Sequence, residues 1–349
     1  MPRREKTAEA PEAIQAIDEL LAGVGLAHGR RLIRRGTPHY RRQEPNELHE
    51  TPPTELVTHR AGRAEVLVSP RWQKAGVPHA FSTRLGGVTT AYSRGEAQSG
   101  EMNLGLTPSD DAANVSENRR LLLAAAGAPA RRLVTLRQIH SNLTRRVTLA
   151  DEGLDRPARA DGLMTDDPQV MIGVQTADCV PVLVRDKRNN AVAAFHAGWR
   201  GTVKRIVEGG IGKMRLEFGS RPEDLEAAIG PAIGACCYAV GEEVRGEFLS
   251  QFNYAPELFC EVYDSDPVKE KYPLLFLTAR APGHSNMGPN LHLDLIEANR
   301  RQLLDAGLRA DAITTAWRCT QCERELFYSY RAEQGFCGRM MAVIGPDAG

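Results

Sequence analysis

The sequence predicts a layered fold in which strands and helices are mixed, rather than a bundle of helices. From Ala64 onward, short β-rich runs alternate with segments of helical periodicity. The runs Val170 to Val174 and Val180 to Val184 are predicted strands on either side of a turn, and Ala191 to Phe195 is a third. The segment Phe327 to Arg331 mixes aromatic and cationic side chains that could bind a phosphate or a sugar, and a strand with alternating burial explains it equally well. Such strands and helices bury their apolar faces by packing in layers.

Three segments have the pattern of amphipathic helices. Apolar residues recur at roughly helical spacing in Thr202 to Phe218, and a second helix is predicted over Asn114 to Ala126. A third helix is predicted over Asp294 to Ala306, because an aspartate is suited to cap the first turn and Gly307 to end the last. These elements together indicate a core large enough for one main domain.

The first part of the chain has a different composition. Residues 1–62 are rich in Arg, Glu, Pro and His, and within them only Ala13 to Val24 has apolar residues at helical spacing. We therefore predict a flexible, solvated N-terminal extension over residues 1–62 with one short helix, followed by one folded domain over residues 63–349. The arginines between Arg30 and Arg42 are interpreted as a solvated face and are assigned no function.

Net charge and hydropathy restrict the kinds of molecule that the protein is expected to bind. The 349 residues include 44 basic and 44 acidic residues, so the net charge gives no reason to expect nucleic acid or an anionic membrane as partner. The longest apolar runs are far shorter than the roughly 20 residues of a membrane-spanning helix. An odd number of cysteines, seven, and a start without an apolar signal segment predict a cytoplasmic protein. We expect a monomer that binds a small molecule.

Three motifs contain the side chains that bind zinc best. His140, Cys179 and His196 lie in the motifs QIHSN, TADC and HAGWRG. Two imidazoles and one thiolate would leave the fourth tetrahedral position of a zinc ion open for water or substrate, as in catalytic zinc sites. The spacing of the three residues matches no compact zinc motif, so this prediction rests on residue type alone.

The segment after His196 favours the binding of an anion. Gly198 and Gly201 allow the backbone to approach closely, and the first turn of the predicted helix would offer free amide donors. Arg200 would add a fixed cation. A second motif, FSTRLGGV, places Arg84 beside a glycine turn, although a surface arginine on a β-turn explains that motif as well.

The remaining cysteines allow a second metal site as an alternative interpretation. Cys319 and Cys322 form a Cys-x-x-Cys pair with Cys337 nearby, but no fourth ligand is evident. We interpret them as ordinary reduced thiols, with a structural zinc site as the alternative. Adjacent Cys236 and Cys237 are interpreted as small buried side chains rather than as ligands or nucleophiles.

Eight motifs in a fixed order resemble those of the YfiH family, which is often labelled multicopper polyphenol oxidase or laccase-like. The similarity spans Ala64 to Ile344, and the order of the motifs is more specific than any one of them. Two departures lie near the C-terminus, where Cys322 is an addition and Cys337 replaces the usual threonine. The motifs are FSTRLGG, MNLG, ENR, QIHS, TADC, HAGWRG, GPAI and FYSYR.

The resemblance implies a zinc-dependent purine nucleoside phosphorylase that also has adenosine deaminase and methylthioadenosine phosphorylase activity. It implies an α+β fold, a layered mixed β-sheet sandwich flanked by helices, of the CNF1/YfiH-like type, with residues 63–349 as the catalytic domain. Zn²⁺ would be bound by His140, Cys179 and His196, and a purine nucleoside and phosphate would be the substrates. Bacterial relatives are also linked to peptidoglycan editing.

Within the motifs, one further residue is a catalytic candidate and four are candidate substrate contacts. Asp178, next to the thiol ligand, would carry a proton or orient a ligand, and the sequence leaves both roles open. Arg84 and Arg200 are suited to phosphate, because a guanidinium group matches the geometry of its oxygens. Ser82 and Asn103 complete the predicted substrate-binding set.

Two other classes of function remain open. A cysteine hydrolase would use Cys179 as nucleophile, activated by His140 or His196, on an amide of a peptidoglycan precursor. A binding module would use the same site to sense a nucleoside or a metal without turnover. Oxidation by a copper cluster is disfavoured, because such clusters use several His-x-His pairs and none of the nine histidines is separated from another by a single residue.

Overall fold

A computed structural model describes residues 31–34, 55–93, 100–151, 157–263 and 290–347. The strands are β1 (Arg31–Arg34), β2 (Val57–Ala61), β3 (Ala64–Val68), β4 (His79–Ser82), β5 (Leu85–Thr89), β6 (Arg132–Thr135), β7 (Thr144–Arg146), β8 (Gly162–Thr165), β9 (Val170–Thr176), β10 (Val180–Asp186), β11 (Ala191–Ala197), β12 (Leu225–Ile229), β13 (Phe259–Tyr263), β14 (Asn290–Leu293), β15 (Ile313–Thr315) and β16 (Met340–Ile344). The α-helices are α1 (Pro70–Lys74), α2 (Ala112–Ala125), α3 (Trp199–Val203), α4 (Ile206–Phe218), α5 (Glu242–Gln251) and α6 (Leu295–Asp305).

Two six-stranded sheets form the centre of the fold. The first sheet has the order β15-β12-β10-β11-β8-β7, and the second has the order β2-β3-β4-β16-β9-β6. Both are mixed, since β12 pairs with β15 and β6 with β9 in parallel while β10 pairs with β11 and β16 with β9 in antiparallel. A three-stranded sheet of β1, β13 and β14 shares no strand with either of them, and Phe259 and Leu293 of this sheet belong to the same apolar core as the first six-stranded sheet.

Three large apolar cores define four layers. Residues such as Leu183 and Ile172 fill the space between the two six-stranded sheets. The other face of the first sheet packs against α4, α5 and α6, with Phe195 and Ile211 among the buried side chains. The other face of the second sheet packs against α2, for example through Leu122. The order helix, sheet, sheet, helix is the predicted α+β sandwich.

Most of the predicted elements are present, with two differences. The three predicted strands correspond to β9, β10 and β11, and the helices over Asn114 to Ala126 and Asp294 to Ala306 correspond to α2 and α6, with Asp294 capping α6. The single helix predicted over Thr202 to Phe218 is instead interrupted at Arg205, whose φ of 58° ends α3 and precedes α4. The segment Phe327 to Arg331 is irregular, with a bend at Phe327 and a turn that begins at Tyr330, and it contains no strand.

A described strand precedes the predicted boundary at residue 62. Strand β2 pairs with β3 in antiparallel from Val57 opposite Val68 to Ala61 opposite Ala64, so the predicted boundary at residue 62 falls at the turn of a hairpin. That turn needs a left-handed backbone, and Gly62 supplies it with a φ of 59°. The helix predicted over Ala13 to Val24 lies outside the described residues. Within the ranges described, no helix combines the length and apolar character needed to cross a bilayer.

Candidate metal centre

Two connections that cross from one sheet to the other bring the predicted ligands together. His140 lies between β6 of the second sheet and β7 of the first, and Cys179 lies on the turn from β9 of the second sheet to β10 of the first. His196 is in β11, opposite Pro181 of β10. One ligand atom from each of the three residues lies within 4.8 Å of the other two. The three predicted ligands therefore form one cluster.

The backbone around the cluster adopts conformations that side chains rarely allow. His140 has a φ of 57° and Asp178, next to the cysteine, has a φ of 91°. Both values lie in the left-handed region, which favours glycine, and such outliers concentrate at functional sites. Gly198 is equally constrained by space, since a Cβ atom there would lie 3.0 Å from Cys179 Sγ and 3.1 Å from His140 Cδ2.

A buried carboxylate holds two of the candidate ligands in place. Asp161 accepts hydrogen bonds from the amides of His140, at 2.9 Å, and Ser141, at 2.6 Å, and from the Ser141 hydroxyl at 2.7 Å. His196 Nδ1 lies 2.9 Å from Asp161 Oδ1. A proton on Nδ1 leaves Nε2 of His196 as the atom available to a metal. Asp161 thus sets the tautomer of one ligand and the backbone position of the other.

The charged groups of the cluster stabilise one another's ionised forms. Burial alone would raise the pKa of Asp161, but the hydrogen bonds from His196 and Ser141 outweigh it and lower the pKa. Burial also opposes charge on Cys179, yet the two histidines lower the pKa of its thiol to about 6. Burial alone would lower the pKa of His196, but the charges and hydrogen bonds of Cys179 and Asp161 outweigh it and raise the pKa to about 9. A thiolate beside a cationic imidazole is the arrangement that results without metal.

The cluster is open on one side. His196 is buried, Cys179 is half-buried and His140 is exposed, so a metal at the centre of the three ligand atoms would face solvent on the side of His140. Within the described ranges, no further His, Cys, Asp or Glu joins these three. Three ligands with nitrogen and sulfur donors fit the pattern of catalytic zinc sites, which keep one position free.

Asp178 links the turn of Cys179 to two distant segments. Its Oδ1 accepts a hydrogen bond from the Thr320 hydroxyl at 2.6 Å and its Oδ2 accepts one from the amide of Arg331 at 2.7 Å. Burial raises the pKa of the carboxyl group, and these hydrogen bonds lower it in part. Because both oxygens are already engaged, the geometry favours a positioning role over proton transfer.

We call Tyr238, Arg331 and Arg200 the rim residues, because they lie on segments that adjoin the cluster: Arg200 follows His196 by four residues, and the amide of Arg331 donates to Asp178 Oδ2. Burial raises the pKa of the Tyr238 hydroxyl, and the charge of Cys179 raises it further. The guanidinium of Arg331 lies 5.4 Å from the centre of the Tyr238 ring. Arg200 is exposed in the first turn of α3, 4.3 Å above the Trp199 ring, and has no ion pair with another described residue. Arg200 is therefore the predicted substrate contact whose charge is available to an anion.

The structure does not support Arg84 as a phosphate contact. Its guanidinium is buried and forms ion pairs with Glu101 at 2.8 Å and Glu333 at 3.0 Å. Both terminal nitrogens also donate to backbone oxygens, of Arg324 and Tyr92. Because its donors are used and two carboxylates already pair with its charge, Arg84 has no free donor to offer a phosphate.

Ser82 and Asn103, the other two predicted substrate contacts, are also structural. Ser82 is buried and its hydroxyl accepts a hydrogen bond from the amide of Met341 at 3.0 Å. Asn103 is fully buried, and its side chain bonds Gly105, Asp110 and the amide of Arg339. Ser82 therefore links the neighbouring strands β4 and β16, whereas Asn103 holds together the loops around residues 105, 110 and 339.

The cysteines predicted as ordinary thiols form a second cluster. Cys319 and Cys322 lie with Cys236 and Cys237, which are half-buried rather than the small buried side chains expected. Cys337, considered as a third member of the Cys-x-x-Cys group, lies elsewhere, and its sulfur accepts a hydrogen bond from its neighbour Arg339.

Sequence reasoning missed Asp161 and Tyr238. Asp161 stands between Ala160 and Gly162 directly before β8, but the amides that it caps belong to His140 and Ser141, about 20 positions earlier, so no local pattern identifies it. Tyr238 follows the Cys236-Cys237 pair, in a segment whose position beside the site depends on the packing of distant loops. No local pattern identifies that position.

The fold and the cluster define a class: an α+β sandwich with a candidate metal centre of two histidines and one cysteine where the chain crosses between its sheets. The chain belongs to the family described as multi-copper polyphenol oxidoreductase laccase, whose family model matches residues 78–347. This membership agrees with the resemblance to YfiH proteins given by the motifs.

Named relatives and a solved structure agree with this assignment. The chain is 34% identical over 282 residues to the purine nucleoside phosphorylase YlmD of Geobacillus stearothermophilus, covering 78% of this chain and 94% of the relative. It is 34% identical over 263 residues to adenosine deaminase RL5 of an unknown prokaryotic organism, covering 72% and 87%. The crystal structure of the hypothetical protein YfiH of Bacillus licheniformis matches with a TM-score of 0.66 and 30% identity, over 83% of this chain and 98% of that one.

Proposed function

We propose that the protein is a zinc-dependent purine nucleoside phosphorylase that converts adenosine, inosine or guanosine and phosphate into the free base and ribose 1-phosphate. The observation that carries the proposal is the convergence of His140, Cys179 and His196, with His196 oriented by Asp161. The names of the relatives YlmD and RL5 support a purine nucleoside as substrate. We extend the proposal to deamination of adenosine and phosphorolysis of methylthioadenosine at the same site.

The donor set favours zinc over a copper cluster. Two imidazoles and a thiolate with an open position suit a single zinc ion, and the chain has no His-x-His pair for a group of coppers. Zinc bound here would supply a Lewis acid beside the substrate. Asp161 would hold the proton on Nδ1 of His196 throughout, so that Nε2 keeps its lone pair directed at the metal.

Two of the rim residues match the two requirements of phosphorolysis, which are the binding of phosphate and the stabilisation of the departing base. In phosphorolysis a phosphate oxygen forms a bond to C1′ as the bond from C1′ to the base nitrogen breaks, and the base leaves with the electron pair and then takes a proton. The guanidinium of Arg200 is exposed and would bind phosphate by two parallel hydrogen bonds. A tyrosine hydroxyl is already protonated at neutral pH, and the raised pKa of Tyr238 preserves that state, so Tyr238 would donate a hydrogen bond to the departing base.

The test is phosphate-dependent release of base from adenosine, inosine and guanosine by the purified protein, with metal content measured on the same sample. We expect base release that requires phosphate, and its loss together with zinc from this site in the His196→Ala variant. Arg200→Ala should keep its zinc and show a raised KM for phosphate. Zinc at the site without turnover on any of the three nucleosides would contradict the proposal.

One observation favours a second candidate, a cysteine hydrolase that acts on a peptidoglycan precursor. The thiol of Cys179 lies between two imidazoles, as in enzymes that activate a cysteine nucleophile. Alkylation distinguishes the two functions. Active protein that resists iodoacetamide until zinc is removed by a chelator supports the phosphorylase, whereas metal-free, active protein that loses activity on alkylation supports the hydrolase.

A further inference from the structure

A second cluster of cysteines lies outside the candidate metal centre described above. Cys236 and Cys237 lie between β12 and α5, and Cys319 and Cys322 follow β15. Their four sulfur atoms lie within 4.8 Å of one another, with Cys322 Sγ 3.5 Å from both Cys236 Sγ and Cys237 Sγ. All four are free thiols. Two segments more than 80 residues apart in sequence thus place four soft donors around one point.

The spacing of the sulfurs matches that around a tetrahedral metal ion. Zinc–sulfur bonds of about 2.3 Å place the sulfurs of a tetrahedral site about 3.8 Å apart. The two distances of 3.5 Å are close to this value. We propose that Cys236, Cys237, Cys319 and Cys322 form a second metal site, a structural tetrathiolate that binds zinc. This inference does not depend on the proposed enzymatic function.

The local backbone explains how adjacent cysteines can both contribute. The amides of Cys237 and Tyr238 both donate to the carbonyl oxygen of Gly234, at 2.9 Å each, so Cys236 and Cys237 lie in a tight turn. In a strand, neighbouring side chains would point to opposite faces, whereas in a turn they can converge. The Cys-x-x-Cys spacing of Cys319 and Cys322 is that of zinc knuckles.

The surroundings of the sulfurs fit a bound cation. The amide of Gly234 donates to Cys319 Sγ at 3.3 Å, a contact that stabilises a metal-bound thiolate. Cys319 is buried, which would make a charged thiolate costly without a cation beside it. Cys322 is exposed and provides the side from which a metal can enter.

Such a site would brace the loops that hold the candidate metal centre. The amide of Ile233 donates to the carbonyl oxygen of Asp178 at 2.9 Å, and the Thr320 hydroxyl donates to its side chain. One of these residues precedes the Cys236-Cys237 pair and the other lies between Cys319 and Cys322. Metal bound by the four cysteines would therefore tie together the two segments that contact Asp178.

The test is the metal content of the full-length chain by mass spectrometry, after purification with zinc and without chelators. We expect two zinc ions per chain in the wild type and one in the Cys319→Ser, Cys322→Ser double variant. Cys337→Ser is the matched control, because Cys337 is as buried as Cys319 but lies outside the cluster, and it should keep two. The His196→Ala variant should lose the other ion, so failure of either site is seen separately.

Cobalt substitution gives a second readout that does not require activity. Cobalt bound by four thiolates absorbs strongly in the near ultraviolet through sulfur-to-metal charge transfer. This absorption should persist in His196→Ala and should fall, in the double variant, to the weaker absorption expected from the single thiolate of Cys179. If the double variant does not fold, Cys236→Ser should keep the fold with three thiolates and lose its second zinc to a chelator at lower concentration than the wild type. The proposal would be overturned if the wild type held only one zinc ion per chain and lost that ion in His196→Ala. The proposal would also be overturned if the protein purified without reductant had a mass lower by two hydrogens than the fully reduced chain, because that difference would reveal a disulfide.

Discussion

Asp161 shows how much of the candidate centre depends on a residue that would not itself bind metal. Its carboxylate lies behind His196 and beneath the turn of His140, fully buried and hydrogen-bonded on both oxygens. The same group fixes a tautomer, a backbone turn and a compensating charge.

We predict that Asp161→Asn lowers zinc affinity by about 10- to 100-fold, the range typical when the hydrogen-bond partner of a metal-bound histidine is replaced. The amide keeps the size of the carboxyl group, but its NH₂ group would face the donors of Ser141 or His196. Competition with a chromophoric chelator measures the affinity. Ser141→Ala is the milder control, since it removes one of several hydrogen bonds to Asp161. Equal affinity in Asp161→Asn and wild type would contradict the role given to Asp161.

Gly198 offers a second test at the scale of one residue. An added methyl group would lie 3.0 Å from Cys179 Sγ and 3.1 Å from His140 Cδ2, so Gly198→Ala should displace both ligands and weaken zinc binding. The control is Gly209→Ala in α4, where nothing lies within 4 Å of the added atom. That substitution should keep zinc affinity and raise the free energy of unfolding by about 0.5–1 kcal/mol. Full zinc binding by Gly198→Ala would show that the ligands move freely.

At the scale of elements, Arg84 ties the end of β4 to the loops around residues 101 and 333. Removing its side chain would leave Glu101 and Glu333 without their buried cation. We predict that Arg84→Ala lowers the free energy of unfolding by about 3–5 kcal/mol, measured by denaturant titration. The fraction that remains folded should keep the KM for phosphate, in contrast to Arg200→Ala. A large rise in that KM with stability unchanged would restore Arg84 as a phosphate contact.

The elements predicted from the sequence are those whose signals are local. Strands β9, β10 and β11 are apolar over nearly their full length because both faces are buried, and α6 has a capping aspartate at its start. The interruption of the predicted helix at Arg205 was not predictable, because its side chain donates to the carbonyl oxygen of Gln251 in another helix. That contact belongs to tertiary structure and leaves no periodic pattern.

The candidate ligands were predictable from residue type, whereas the roles of other polar motif residues were not. His140, Cys179 and His196 carry the chemistry that zinc requires, so their types alone suggest a site. Ser82 and Asn103 belong to equally distinctive motifs, but their side chains point into the protein. A motif does not show whether its polar side chains face the protein interior or a substrate.

At the scale of the whole molecule, one buried histidine makes stability depend on pH. His79 Nε2 accepts a hydrogen bond from the amide of Ser69 at 2.8 Å, and its Nδ1 lies 2.9 Å from the carbonyl oxygen of Val77. This arrangement requires the neutral ring, with its proton on Nδ1. Burial lowers the pKa of His79 from 6.5 to about 4.

We therefore predict that His79 contributes to acid sensitivity. The unfolded chain takes up this proton as the pH falls below 6.5, while the folded protein does not until about pH 4, so stability is complete above 6.5 and falls as the pH drops through that window. In His79→Gln, the loss in free energy of unfolding between pH 7 and pH 4.5 should be about 2–3 kcal/mol smaller than in wild type. Denaturant titrations at the two pH values measure it. Identical losses in the two proteins would contradict the prediction.

The positions of Cys179 and His140 on connections between the two sheets have a consequence for the order of folding. Neither sheet alone holds the three ligands, since each of these connections begins in the second sheet and ends in the first. The second sheet in turn needs β16, from the end of the chain, between β4 and β9. Contacts of such long sequence separation form late, because the loops between them must close first. Capture of zinc by all three ligands during refolding should therefore coincide with the final docking of the sheets rather than precede it.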